Sequence, residues 1–184
     1  FEQILRDDTG HDIKAVLITH NETATGVVSD VPGLRKALDA AAHPALLFVD
    51  GVSSIGSMEF RFDDWGVDVA VTGSQKGFML AAGLAIVGFS EKAIAASRTN
   101  TLPRTFWSID DMRAGYAANA YPYTPAIGLL NGLKTACEML LDEGLDNVFA
   151  RHARIADGVR AAVQQGWGLD VCAVAPELYS NTVT

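Results

Sequence analysis

The chain has 184 residues, 49% of them hydrophobic and 20% charged, enough apolar material for one domain or parts of two. A net charge of -8 excludes a nucleic-acid partner and an anionic membrane surface, since both need a basic footprint. No apolar run is long enough to span a bilayer.

The start, "FEQILRDDTG", has neither the charged opening and apolar core of a signal peptide nor an initiator Met, and it reads as the end of a helix. "IKAVLITHNE" reads as a strand, with Ala15 to Ile18 apolar and polar residues from His20 to Thr23 at its end. "TGVVSDVPGLRKALDAAAHP" gives a loop and then a helix. Ser29 or Asp30 is its cap, Pro32 lies in its first turn, and Leu34, Leu38 and Ala41 share one face.

"ALLFVDG" is a second apolar run ending on Asp50. "VDVAVTG" is a third, opened by Asp68 and running into Thr72, Gly73, Ser74, Gln75 and Lys76, and "GLAIVGFS" is a fourth. Such runs interleaved with a helix predict an α/β fold: a mostly parallel sheet covered on both faces. "AIGLLNGLKTACEMLLDEG" repeats Ile127, Leu130, Leu133, Cys137 and Leu140 at helical spacing and stops at Gly144. "LDNVFARHARIADGVRAAVQQG" is another helix, with Arg151 and His152 read as a solvated face. The tail, "LDVCAVAPELYSNTVT", is strand-like. Both ends look cut, so the chain is expected to be an internal piece of a longer protein. The histidines, at 11, 20, 43 and 152, form no zinc-type cluster, and the distant Cys137 and Cys172 fit a reducing, cytoplasmic compartment.

In an open parallel sheet, ligands bind at the carboxyl ends of the strands. Three of the strands end in polar residues, bringing His20–Thr23, Asp50 and Thr72–Lys76 to one edge. A lysine buried there would present a neutral amine, a good nucleophile toward carbonyls, and a neighbouring carboxylate can hold a cationic ring nitrogen. Lysine with such an aspartate is the recurrent arrangement for pyridoxal 5'-phosphate (PLP). Each residue alone has a plainer reading: Asp50 as a turn former, Lys76 as a surface charge. Pattern alone does not separate the readings. "TGSQKG" does not match the Gly-rich loop of a phosphate-binding lysine.

Four motifs, "HNETATGV", "FVDGVSSIG", "TGSQKG" with "GLAIVGFSEKA", and "YPYTPAIGLLNGL", resemble in order and spacing those of the class V, fold-type I, PLP-dependent aminotransferases. The likeness leans toward the serine–glyoxylate and alanine–glyoxylate members and covers essentially the whole chain. It implies that residues 1–143 belong to the large PLP-binding domain, without its N-terminal portion, and that 144–184 begin the small C-terminal domain. It implies that Lys76 bonds PLP covalently, Asp50 pairs with the pyridinium nitrogen, Val52 packs on the ring, Thr23 lies near the phenolic oxygen, and Gln75 donates to the phosphate. Gln75 separates the chain from cysteine desulfurases, where a histidine usually stands. Tyr121 and Thr124 would reach the phosphate of a neighbouring subunit, making the protein a homodimer with shared sites. Taken plainly, Thr124 before Pro125 would cap the next helix. The implied reaction moves an amino group from an amino acid, serine first and aspartate, alanine or ureidoglycine as alternatives, to glyoxylate. A cysteine desulfurase-like lyase or a non-catalytic scaffold would be the rivals. The family's upstream phosphate loop and downstream carboxylate-binding arginine have no counterpart here.

Overall fold

The computed structural model describes residues 1–184. Helix α1 (Glu2–Asp7) leads into strand β1 (Ala15–Thr19), a small antiparallel ladder of β2 (Asn21–Glu22) and β3 (Val27–Val28), and helix α2 (Val31–Ala40). Strands β4 (Leu46–Asp50), β5 (Val69–Gly73) and β6 (Ala85–Phe89) follow. Helices α3 (Glu91–Arg98), α4 (Ile109–Ala117), α5 (Ile127–Glu143) and α6 (Leu145–Ala161) complete the chain, with a π turn over Ala162–Gly166 and a 3-10 turn over Pro176–Leu178. No helix is long and apolar enough to cross a membrane.

The main sheet runs β1-β4-β5-β6. The first two pairings are parallel and the last is antiparallel. The mostly parallel sheet expected from the apolar runs is therefore present. Its core lies on one side, where Leu47, Val49 and Ala70 pack against Leu5 of α1 and Val31 and Leu38 of α2. Helix α2 starts where the sequence says: the Asp30 carboxylate accepts the Gly33 N–H at 2.8 Å, and Pro32 in the first turn has no N–H to lose.

Cover on both faces is not found. Parallel pairing sets Leu17 beside Phe48, Phe48 beside Val69, and Asp50 beside Val71, and antiparallel pairing adds Val87 and Phe89. That face carries no helix of this chain, and Leu17 is 75% exposed. Apolar residues on both faces of a strand call for two layers of cover, and α1 and α2 supply one.

Asp68, at the start of β5, is buried and does more than tolerate the strand end. Its carboxylate accepts the Leu47 N–H at 2.9 Å and the Ser90 hydroxyl at 2.7 Å, with Lys92 Nζ 3.7 Å away. It pins β4, β5 and the start of α3 together. Gly144, with φ 84°, ends α5 as the sequence predicts. Thr124 does not cap α5. The helix begins after Ala126 without a side-chain cap. The tail forms no strand, only an isolated bridge from Tyr179 to Val27 and the 3-10 turn. Helices α3 and α4 go beyond the sequence reading. Ser90 and Ser108 cap them, accepting the N–H groups of Ala93 and Asp111.

Candidate active site

Because β1, β4 and β5 are parallel, their carboxyl ends share one edge, and register places Thr19, Asp50 and Val71 side by side. Asp50 is knit in from both neighbours. The His20 N–H donates to the Asp50 carbonyl at 2.9 Å, and the Gly51 N–H donates to the Val71 carbonyl at 2.9 Å. The Asp50 side chain is exposed, and one of its oxygens accepts the Val52 N–H at 2.9 Å. Beyond Asp50 the chain turns tightly. The N–H groups of Ser54 and Ile55 both donate to the Gly51 carbonyl, and Gly56 takes φ 88°.

Burial along β5 continues through Thr72, Gly73 and Ser74 and then ends; Gln75 and Lys76 are exposed. The expected burial of Lys76 is thus not found. Ser74, fully buried, anchors the turn: its hydroxyl donates to the Ala81 carbonyl at 2.7 Å and accepts the Leu84 N–H at 3.2 Å. Two residues beyond that anchor, Lys76 is free to project its amine outward. Gly77 then lies against the turn after Asp50. A Cβ there would stand 2.2 Å from the Ile55 carbonyl oxygen and 2.9 Å from the Gly56 Cα. Two glycines in backbone contact thus hold the Lys76 turn against the Asp50 turn.

Lys76 lines a cleft of about 350 Å³ with Ser53, Ser57, His152, Asn181 and Thr182 among others, and no carboxylate lines it. Asp50 instead borders a shallow hollow of about 310 Å³ on the uncovered sheet face, with Leu17, Phe48, Val69 and Val71. The two residues share one edge and two touching turns but not one cavity. Thr23 is exposed and its hydroxyl meets that of Ser53. Val52 is half-buried directly after Asp50. Gln75 is exposed, its amide folded back beside Gly73. Tyr121 and Thr124 are exposed and stand outside the Lys76 cleft. Tyr121 borders a separate hollow of about 500 Å³ with Met112, Tyr116 and Pro122.

Ser53, Thr182 and His152 make contacts at the site that the sequence reading did not assign, and Asn21, expected at the β1 end, gains its partner there. The Ser53 carbonyl accepts Asn21 Nδ2 at 2.7 Å and the Thr182 hydroxyl at 2.8 Å, which ties the C-terminal segment to the Asp50 turn. Asn21 is 2% exposed and its Oδ1 has no partner. His152, read as part of a solvated helix face, is half-buried in the cleft. Its Nδ1 bonds the Val148 carbonyl at 2.9 Å. The signal was the helical spacing of His152, Ile155, Ala156 and Val159, all of which line the cleft. Arg151 pairs with Glu143, whose carboxyl is held below the usual range by that guanidinium. No group of three His, Cys, Asp or Glu side chains stands ready for a metal ion.

The donor set fits PLP. Lys76 has no ion pair. One carboxylate keeps an oxygen open at the neighbouring strand end. Ser53 and Gln75 lie in the Asp50 and Lys76 turns, and the Thr23 hydroxyl, in the β2–β3 turn, meets that of Ser53.

The family model for class-V aminotransferases matches residues 2–183. The chain is 70% identical over 184 residues to an L-aspartate–glyoxylate aminotransferase of Paracoccus denitrificans, covering 100% of this chain and 46% of that protein. It is 58% identical over 186 residues to a serine–glyoxylate aminotransferase of Hyphomicrobium methylovorum, again covering 100% and 46%. The crystal structure of a pyridoxamine–pyruvate aminotransferase from Mesorhizobium loti superposes with a TM-score of 0.85 at 31% identity, over 98% of this chain and 47% of that one. The chain spans about half the length of these relatives. With the match running from the first helix to the penultimate residue, the chain belongs to the class-V aminotransferase family.

Proposed function

We propose that the protein containing this chain is a PLP-dependent transaminase that passes the amino group of an L-amino acid to glyoxylate, forming glycine. The observation that carries the reading is the placement of Asp50 and Lys76 on adjacent parallel strand ends, their turns locked by the Gly56–Gly77 contact. The relatives named for glyoxylate support the acceptor. Bound PLP would supply an electron sink for the substrate's α-carbon.

The chain's own residues divide the rest of the work. Lys76 would hold the cofactor covalently, and its free amine would move the proton at the substrate's α-carbon as general acid–base. The Asp50 carboxylate, oriented by the Val52 N–H, would keep the ring nitrogen protonated. Val52 would pack on the ring, and Thr23 and Gln75 would donate hydrogen bonds without adding buried charge. Tyr121 and Thr124, exposed and away from the Lys76 cleft, serve the phosphate of a partner subunit's cofactor in a homodimer. Residues 1–143 belong to the large domain, and the small domain begins near Gly144.

Serine is the donor that the motifs favour. Aspartate is favoured by the relative at 70% identity, which is named for it. A panel of serine, aspartate, alanine and cysteine against glyoxylate and 2-oxoglutarate, on the full-length protein, separates these. Glycine should form from glyoxylate with serine or aspartate. A strong preference for 2-oxoglutarate, or sulfur release from cysteine, would refute the proposal.

A further inference from the structure

We infer that His20 is a positioning residue for the Asp50 turn, acting through Ser54; this rests on the reading of Asp50 as a cofactor-binding residue. His20 follows β1 directly and is 4% exposed. Its backbone N–H holds the Asp50 carbonyl at 2.9 Å, and its Nδ1 lies 2.9 Å from Ser54 Oγ. Ser54 is 1% exposed, and its hydroxyl donates to the Gly51 carbonyl at 3.3 Å. One residue therefore grips the chain at Asp50 and at the far end of the turn that follows it.

We assign the Ser54 proton to the Gly51 carbonyl, so that Ser54 Oγ accepts from Nδ1–H; this tautomer leaves no N–H at Nε2 facing the apolar rings. Phe60 and Trp65 pack around the ring, each with its centroid 5.6 Å away. Neither offers an acceptor to Nε2, so the neutral ring is the form that the pocket suits. Trp65 is one wall of this pocket. The Asp50 carboxylate takes its direction from the Val52 N–H, and Val52 lies between the two residues that His20 holds. A plainer account makes His20 a filler between two aromatic rings. A filler would be replaceable by an apolar residue of similar size, and a positioning residue would not.

The test uses the full-length protein and three variants. His20→Phe fills the aromatic pocket without a donor, Ser54→Ala removes one oxygen, and His20→Asn restores an N–H near the place of Nδ1. The readouts are PLP affinity from titration of the apo-protein, circular dichroism of the bound cofactor, the kcat and KM values, and the Tm of the apo-protein. His20→Phe and Ser54→Ala should each weaken PLP binding by about fivefold, the central value for one net hydrogen bond. Each should lower kcat, with little change in KM for glyoxylate. The double variant should lose no more than either single variant, because both break one link. His20→Asn should stay within roughly threefold of the parent protein. Wild-type PLP affinity in a folded His20→Phe protein, or additive losses in the double variant, would overturn the inference. If His20→Phe does not fold, Ser54→Ala decides alone, and unchanged affinity there overturns it. Asp50→Asn is the control for the underlying reading: if it too leaves PLP binding unchanged, the role given to Asp50 fails rather than that of His20.

Discussion

Lys76 shows how a charged residue is delivered by a buried strand. Burial runs through Ser74, whose hydroxyl satisfies two backbone groups, and the amine emerges two residues later. Replacing Asp50 by Ala should leave covalent PLP attachment intact and reduce turnover about 10- to 100-fold, the range for a hydrogen bond to a charged group. Steady-state kinetics at saturating PLP checks this. His20 gives a pH prediction. Burial pushes its pKa below the ordinary 6.5, so below pH 6.5 the unfolded chain binds a proton that the folded one refuses. Stability contributed by keeping His20 neutral is present above pH 6.5 and declines as pH falls toward the lowered value. The ring's partners, Ser54, Phe60 and Trp65, carry no charge that could reverse the sign. Urea denaturation of the parent protein and His20→Asn should therefore show stability curves that converge as pH drops from 7 toward 5. Parallel curves would contradict the assignment. Asp50, Gln75 and Lys76 were visible in the sequence because a polar residue after an apolar run is conspicuous. Asn21 was visible as part of the polar end of β1, whereas Ser53 and His152 were hidden because their roles depend on what lies across the cleft.

Among the elements, the turn between β5 and β6 is the most constrained. Gly77→Ala puts a methyl group 2.2 Å from the Ile55 carbonyl oxygen, with backbone on both sides and no flexible side chain to yield. The Lys76 turn should separate from the Asp50 turn, with PLP affinity lost well beyond any fall in Tm. Cofactor titration alongside thermal melting measures both. Asp30→Ala should cost α2 about 1 kcal/mol, the usual value for a lost N-cap, without changing PLP affinity. Helices α2 and α5 were legible because Pro32, Asp30 and Gly144 punctuate them. The direction of β6 was not, since an apolar run reads the same parallel or antiparallel. The tail misled because β-prone residues such as Val171 and Val174 have no strand edge to join, and Val174 is 91% exposed. The uncovered sheet face could not be foreseen, because periodicity says that a strand is apolar on both sides but not which layers cover it.

Across the molecule, exposed apolar residues concentrate between Leu102 and Tyr123: Leu102 at 70%, Trp107 at 72%, Tyr116 at 86% and Tyr121 at 62%. The proposed homodimer would cover these residues. Subunit exchange tests the shared site. Lys76→Ala mixed with a Tyr121→Phe/Thr124→Val protein should recover activity at limiting PLP, because one site of each mixed dimer then bears neither lesion. No recovery despite demonstrated exchange would assign Tyr121 and Thr124 to their own subunit's site. The central claim is that Lys76, beside Asp50 at the sheet edge, is the residue that carries PLP. Borohydride reduction of the full-length protein with PLP, followed by peptide mapping, tests it most directly. The pyridoxyl group should appear on Lys76; its appearance instead on Lys14, Lys36, Lys92 or Lys134, or on a lysine outside these 184 residues, would contradict the account.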